Sequence, residues 1–283
     1  MKAVIYPNFQ KNNALECARR LCDILEKDIE IFVDNSFKNE FSDKPFVKYG
    51  LFDDIAAEAD FAVAIGGDGT ILKCAKHIVG FDTKLLGINT GRLGFMSALE
   101  YDQLEQISCL KNGSYTVSER MMLKAEISDG NAVHIFEALN DICVSSFYSS
   151  ICDFDVSIDG RVVGSYRADG AVFSTPTGST AYSLSAGGPI IEPEMRCIEM
   201  TLICPHSLFA RPMIFSPDKK ITFENSSERN PKMYVSVDGG EPLELPCGSC
   251  VHITSSEHKI EIVDIKENTF YNSLNRKLMH PIK

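Results

Sequence analysis

No stretch of this chain reaches the ~18 consecutive apolar residues that a membrane-spanning helix needs. The beginning, MKAVIYPNFQKNN, holds only a short apolar run before Pro7, too short for the apolar segment of a secretory leader. The expectation is a mature cytoplasmic chain with no membrane partner. Positive charge is also scarce. The chain has 28 Lys and Arg against 39 Asp and Glu, a formal net charge of −11. That excludes a general nucleic-acid or anionic-membrane surface. An anionic ligand then has to be held by local donors, a few cations or a bound metal. The six histidines lack metal-ligand spacing, and no Ser/His/Asp or Cys/His set can be assembled. Among ten cysteines there is one C-x-x-C, CGSC at 247–250, and no second pair at zinc spacing. It reads as a glycine turn between small side chains. Cys17, Cys22 and Cys74 fall on apolar positions of predicted helices, as buried thiols in a reducing compartment do.

What is present is enough chain for a sizeable core: 283 residues, or about two domains at the usual ~150 residues each. AVIY (3–6) predicts a short buried strand. Asn13 and Glu16 have capping-box spacing ahead of a helical stripe at Leu15, Ala18, Cys22 and Leu25. IEIFV (29–33) predicts a second strand, and 38–50 is polar and irregular. A short helix is expected near 53–59. FAVAI (61–65) is apolar at every position, as in a strand covered on both faces. A helix follows at about 70–79, then a strand at LLGIN (85–89). Strand and helix alternate at βαβ spacing, which predicts an open, mostly parallel, Rossmann-like α/β sheet. From about Val117 strands dominate. Asp159-Gly160 and Asp238-Gly239 each sit between alternating runs, a strong hairpin signal. The division expected is an α/β domain over 1–117 and an all-β sandwich over 118–256. No low-complexity linker parts them, and the tail 257–283 returns to the first domain.

Three stretches carry chemistry. AIGGDGTIL (64–72) follows the buried strand and opens a helix, where open α/β sheets bind ligands. Gly66, Gly67 and Gly69 are read as positive-φ positions that let the backbone approach a phosphate, with Thr70 closing the loop. Asp68 in their midst would repel a bare phosphate. It becomes useful if a divalent cation intervenes, or if it takes a proton from a hydroxyl that attacks phosphorus. The loop is neither a Walker A motif nor G-x-G-x-x-G. GINTGRLGF (87–95) is a second glycine turn, with Arg92 able to meet a phosphate. In DGAVFSTPTGSTAYSLSAGGPII (169–191), Ser179 or Thr180 can cap a short helix ending at Gly187, a hydroxyl-rich anion or ribose site. Tyr182 and Ser185 share a face of that helix. Asn140-Asp141 suits a ribose diol or a base edge, or is a plain turn. Asp238 needs no reading beyond its hairpin.

Together GGDGT (66–70), NTGRLGF (89–95), ND (140–141), RADG (167–170) and TPTGSTAYSLSAGGPI (175–190) resemble the NAD kinase family, of bacterial type, in the family's order and over nearly the whole chain. GGDGT is shared with lipid kinases and, in related form, phosphofructokinases; the last stretch is highly specific. The resemblance implies phosphorylation of NAD on its adenosine 2′-hydroxyl by ATP with Mg²⁺, some bacterial members accepting polyphosphate. It implies Asp68 as proton acceptor, with Gly69 against the same ligand. Asn140 and Asp141 contact adenine or ribose, and Thr180, Ala181, Tyr182 and Ser185 line the dinucleotide site. Asp169 and Arg167 face the nicotinamide side, and Lys73 neutralises phosphate. The implied fold is an α/β domain followed by a β-sandwich, in a cytoplasmic homodimer or homotetramer. Two positions depart from the family: it commonly has Asn-Glu where Asn140-Asp141 stands, and Arg where Lys73 stands, which removes a bidentate fork. A lipid kinase and a non-catalytic dinucleotide sensor are the alternatives.

Overall fold

The structure, a computed structural model, describes residues 1–91, 94–128, 132–146, 150–207, 210–228, 232–265 and 269–276. It divides into two compact units, Met1–Glu119 with Ile260–Lys283, and Arg120–Lys259.

In the first unit five parallel strands, β1 (Lys2–Pro7), β2 (Glu30–Asp34), β3 (Lys48–Gly50), β4 (Phe61–Gly66) and β5 (Lys84–Asn89), lie in the order β3-β2-β1-β4-β5. Their connections carry the helices α1 (Ala14–Leu25), α2 (Phe52–Ala56) and α3 (Asp68–Ile78). The order reverses between β1 and β4. The carboxyl ends of those two strands therefore flank a topological switch point, where such sheets take ligands. Every residue of β4 is buried, as its unbroken apolar run requires. On α1 the buried positions Ala14, Cys17, Ala18, Leu21, Cys22 and Leu25 recur at helical spacing. A short strand β6 (Leu99–Glu100) runs parallel to β5, and a 3-10 helix follows over Tyr101–Asn112. Near the end of the chain Ile262 pairs in parallel with Leu85.

Local readings need correction here. Asn13 precedes α1 with φ 62° and makes no side-chain cap bond. A capping side chain needs extended backbone at that position, so the expected capping box does not form. The box forms instead at Glu100 and Gln103, ahead of the 3-10 helix. The irregular stretch after residue 38 ends in β3, whose register with β2 pairs Phe32 with Lys48. The helix expected from residue 70 already begins at Asp68, so the carboxylate belongs to the first helical turn.

The second unit is built from β7 (Thr116–Ser128), β8 (Val133–Ala138), β9 (Asp141–Ser146), β10 (Cys152–Ile158), β11 (Arg161–Ala168), β12 (Gly170–Ser174), β13 (Ile198–Ile203), β14 (Met213–Phe215), β15 (Ile221–Asn225), β16 (Lys232–Val237), β17 (Leu243–Pro246) and β18 (Cys250–Asp264). The unit boundaries fall inside the two longest strands, β7 and β18. One antiparallel sheet has the order β14-β13-β12-β9-β16-β17; the facing strands run β11-β10-β15-β18, with β7 on β18 and β8 on β7. Phe154 of β10 stacks on Phe223 of β15 at 4.6 Å between centroids, and Phe173 of β12 meets Phe223 edge-on at 6.3 Å. All three rings are fully buried, and they tie one layer of the sandwich to the other. Each such side chain contributes about 1.5–3 kcal/mol by leaving water. Both Asp-Gly turns have positive φ at both residues, 50° and 78° at Asp159-Gly160 and 50° and 63° at Asp238-Gly239; the first closes a tight hairpin, with Ile158 paired to Arg161, whereas the second lies in a wider connection whose pairing begins at Val235 and Leu243. A parallel α/β sheet and an antiparallel sandwich are the two architectures that the sequence pattern predicted.

Candidate functional site

In the first unit β4 runs straight into the glycine turn. A Cβ on Gly66 would lie 2.3 Å from Thr70 Oγ1, so only glycine fits against that side chain. A Cβ on Gly67 or Gly69 would meet nothing within 4 Å. None of the three has a positive φ. The expectation of left-handed backbone here is therefore wrong: contact fixes Gly66, and Gly67 and Gly69 leave open room beside the helix start. The Asp68 carboxylate accepts hydrogen bonds from the Phe95 N–H at 3.1 and 3.0 Å and from the Met96 N–H at 3.2 Å. A Cβ on Gly94 would stand 2.3 Å from Asp68 Oδ1. Gly94 is thus what lets the second glycine turn close on this carboxylate.

Thr70 is buried, and its Oγ1 accepts from Asn8 Nδ2 at 3.2 Å, while the Asn8 N–H donates to the Ile65 carbonyl at 2.9 Å. These bonds tie the carboxyl ends of β1 and β4 together. Beside them lies a cavity of about 680 Å³, lined by Tyr6, Asn8, Phe37, Thr70, Lys73 and His77 among others. That volume is in the range of small-ligand sites. Lys73, exposed and one turn into α3, supplies a cation. His77 Nδ1 lies 2.6 Å from Asp53 Oδ1.

In the second unit the residues fall around the paired ends of β9 and β12, where Asp141 faces Ser174. The Asp238 carboxylate accepts from three successive backbone N–H groups, of Leu139 at 2.9 Å, Asn140 at 2.8 Å and Asp141 at 3.0 Å, and its own N–H donates to the Asp141 carbonyl at 2.9 Å. That latch fixes Asn140 and Asp141. Asn140 Oδ1 and Thr177 Oγ1 are buried without a hydrogen-bond partner. Buried polar atoms are nearly always paired, so each of these two has a bond left to make with a water or a ligand. Gly178 packs on the same loop, its Cβ position being 2.0 Å from the Asn140 carbonyl oxygen. Beyond it the expected single helix is broken. A 3-10 turn spans Gly178–Thr180, Ala181 departs to φ −99° and ψ −122°, and one α-turn, α4 (Tyr182–Ser185), follows without a side-chain cap. The hydroxyls of Ser179 and Thr180 turn back to the carbonyls of Pro176 and Thr177 instead of capping. Tyr182 and Ser185 are exposed on α4. The Tyr182 phenol is pushed above its ordinary value by partial burial first, then by the Cys143 and Cys204 thiols and the Asp141 and Asp169 carboxylates.

Comparison with known proteins decides the family. The ATP-NAD kinase N-terminal domain model matches residues 4–110, and the ATP-NAD kinase C-terminal domain model matches residues 139–265. The chain belongs to the ATP-NAD kinase family. It is 34% identical over 281 residues to the NAD kinase of Thermoanaerobacter sp. (strain X514), covering 98% of each chain. It is 38% identical over 224 residues to that of Geobacter metallireducens, covering 78% of each. Its fold is similar to that of yeast NADH kinase complexed with NADH, with a TM-score of 0.90, 26% identity, and coverage of 100% of this chain and 89% of that one. It is also similar to an NAD kinase from Archaeoglobus fulgidus in complex with ATP, with a TM-score of 0.71, 25% identity and 97% coverage of both.

Within the units of this family member, Gly66, Gly67, Asp68, Gly69, Thr70 and Lys73 form one group. Asn140, Asp141, Thr180, Ala181, Tyr182 and Ser185 form another. Asp169 lies just outside β12; its carbonyl accepts from the Ser146 N–H at 2.9 Å. Arg167, on β11, is exposed and committed to Asp153 through two bonds, 2.8 Å at Nε and 3.1 Å at an Nη. Arg92 lies outside the described residues. Asn89 is 1% exposed, with its amide donating to Glu100 Oε2 at 2.7 Å and accepting from the Gly91 N–H at 3.1 Å, so it braces the turn. CGSC is a turn, with Gly248 at φ 83° and all ten cysteines free. Two residues escaped sequence reasoning. Gly94 carried the signal of a second glycine turn without saying what it approached. Asp238 carried none, because its partners lie about a hundred residues away.

Proposed function

We propose that this NAD kinase uses Asp68 to take the proton from the adenosine 2′-hydroxyl of NAD while ATP supplies the phosphoryl group. The 2′-oxygen attacks the γ-phosphorus, the bond from that phosphorus to the β,γ-bridging oxygen breaks, and its electron pair leaves with ADP; the products are NADP, ADP and the proton held on Asp68. The observation that carries this reading is a carboxylate oriented by main-chain N–H groups at the open start of α3, beside the switch point of the sheet. The cavity over the ends of β1 and β4 takes the nucleoside triphosphate. Lys73 and the positive end of the α3 dipole meet phosphate oxygens there, and the aromatic wall suits the base.

The second unit holds the dinucleotide. Asn140 and Asp141 contact adenine or ribose, Thr180, Ala181, Tyr182 and Ser185 line the dinucleotide site, and Asp169 and Arg167 face the nicotinamide side. The unpartnered Asn140 Oδ1 supports this, because the adenine amino group is a donor of the kind it lacks. Among the described residues no group of three or more His, Cys, Asp or Glu could hold a metal. That fits Mg²⁺, which is held by substrate phosphates and one or two carboxylates more often than by a protein cage. Asp34 is a carboxylate of the cavity wall and Asp68 stands at the start of α3, two residues before Thr70 of that wall; an ion held by either would offset the charge of the phosphate oxygens. Among the described residues no helix is long and apolar enough to cross a membrane. The ten free thiols suit the cytoplasm, and the assembly is a homodimer or homotetramer, which light scattering measures.

The test is to mix the protein with NAD, ATP and MgCl₂ and follow NADP. Product at the 2′ position is expected. Folded protein that makes none from ATP or polyphosphate overturns the reading.

A further inference from the structure

One buried carboxylate has no place in the chemistry above. Glu199, on β13, is 0% exposed. Its strand reads IEMTLI, and sheet registry sets Glu199 directly opposite Ser174 of β12. Glu199 Oε2 accepts from the Ser174 hydroxyl at 2.7 Å, and Oε1 accepts from Ser183 at 2.7 Å and from Thr201 at 2.9 Å. Ser183 and Thr201 also touch, at 3.1 Å. Ser174 and Ser183 are 0% exposed and Thr201 1%. No cation is paired with Glu199 among the described residues. A carboxyl group buried against hydroxyls alone is costly unless its bonds are complete, and here each oxygen has a partner.

One member of the set lies outside the sheet. Ser174 and Thr201 belong to the sheet, but Ser183 belongs to α4. A single α-turn is marginal by itself, and this one has neither a side-chain N-cap bond nor a regular entry, since Ala181 breaks the backbone just before it. The hydroxyl of Ser183 is its polar anchor to the sheet. Gly188 completes the fit. Its N–H donates to the Ser183 carbonyl at 2.9 Å, and a Cβ there would stand 2.1 Å from Glu199 Oε1 and 2.3 Å from Ser183 Oγ. Tyr182 and Ser185 flank Ser183 on the exposed side of the same turn.

We propose that Glu199 is a positioning residue for the dinucleotide site: through Ser183 it holds α4 in the one arrangement that presents Tyr182 and Ser185 to NAD. The proposal rests on the reading of that turn as part of the NAD site. It assigns Glu199 to acceptor-substrate binding and to no other step.

The experiment compares Glu199→Leu, Glu199→Gln, Ser183→Ala and Ser174→Ala by steady-state kinetics and by amide hydrogen exchange over residues 181–188 without substrate. Glu199→Leu and Ser183→Ala are expected to raise KM for NAD ~10- to 100-fold, as misplacing binding groups does. KM for ATP and kcat stay within about twofold, and exchange over the turn speeds up. Glu199→Gln restores most of the affinity, because hydroxyls can accept as well as donate and the set can close again. Ser174→Ala lowers thermal stability and leaves KM for NAD alone, since the Ser174 hydroxyl bonds Glu199 Oε2 and not the oxygen that holds Ser183. If Glu199→Leu fails to fold, the Ser183 and Ser174 pair decides the matter. Unchanged exchange, or a KM for NAD that moves equally with Ser174 and Ser183, overturns the positioning role. Tyr182→Ala separates the two readings. If it raises KM for NAD while Ser183→Ala does not, the positioning role alone fails. If neither moves it, the assignment of the turn to NAD fails with it.

Discussion

Asp68 and Asp238, one in each unit, use the same device. Each carboxylate reaches across the chain to backbone N–H groups of a distant segment: Asp68 to Phe95 and Met96, Asp238 to Leu139, Asn140 and Asp141. What surrounds them differs. Asp238 is 9% exposed and spends its oxygens on three amides at the entry to β9. Asp68 is half-buried at a helix start, with open room at the glycines on either side. The same bonds therefore make a latch in one place and an aimed, approachable group in the other. Asp159 completes the series. It too occupies an Asp-Gly turn, yet it is exposed, and its carboxylate bonds one cation, the Lys219 side chain, and one N–H, that of Lys220. Turn chemistry alone does not decide which of these carboxylates matters.

Substitutions should separate the three. Asp68→Asn keeps the shape and most of the amide bonds but cannot take a proton, so kcat for NADP formation should fall ~10²–10⁴-fold. Gly94→Ala should come next. Its new methyl would press on Asp68 Oδ1, and a carboxylate displaced by about an ångström can cost ~10²-fold in kcat. Affinity for NAD should be spared, and an unaltered kcat would show that the carboxylate tolerates movement. Asp238→Ala should act on binding and stability. It leaves three inward-facing N–H groups to find new partners, which costs about 1–3 kcal/mol of stability. KM for NAD should rise ~10-fold or more as Asn140 and Asp141 shift. Chemical denaturation and initial rates check both. Asp159→Ala should do least, with NAD kinetics matching the parent and the unfolding midpoint slightly lower, since alanine is strained at φ 50°. If Asp159→Ala matched Asp238→Ala, the hairpin itself would be the common cause and the latch would be dismissed.

Much of this was legible because it is local. The all-apolar β4, the glycine turn after it and the helix beyond are written in adjacent residues, and so are both hairpins. The capping box was misplaced because Asn13 and Glu16 have the right spacing, and only the backbone at Asn13, in the left-handed region, excludes it. The positive φ expected at Gly66, Gly67 and Gly69 failed because composition cannot tell a glycine needed for its torsion from one needed for its missing side chain. β3 was missed because three residues carry no period. The latch at Asp238 and the hydroxyl set around Glu199 lay beyond reach for another reason. Sheet pairing of β9, β12, β13 and β16 brings those groups together across long sequence separations, and no local pattern encodes such pairs. In IEMTLI, Glu199 is a single polar letter in a buried strand.

The most direct measurement is a paired one on Asp68→Asn: calorimetric titration with NAD, and single-turnover formation of NADP from saturating NAD, ATP and MgCl₂. The expected result is NAD affinity within about threefold of the parent with the phosphoryl-transfer rate lower by ~10²–10⁴. A transfer rate equal to the parent's in that variant would contradict the role of Asp68 as the proton acceptor.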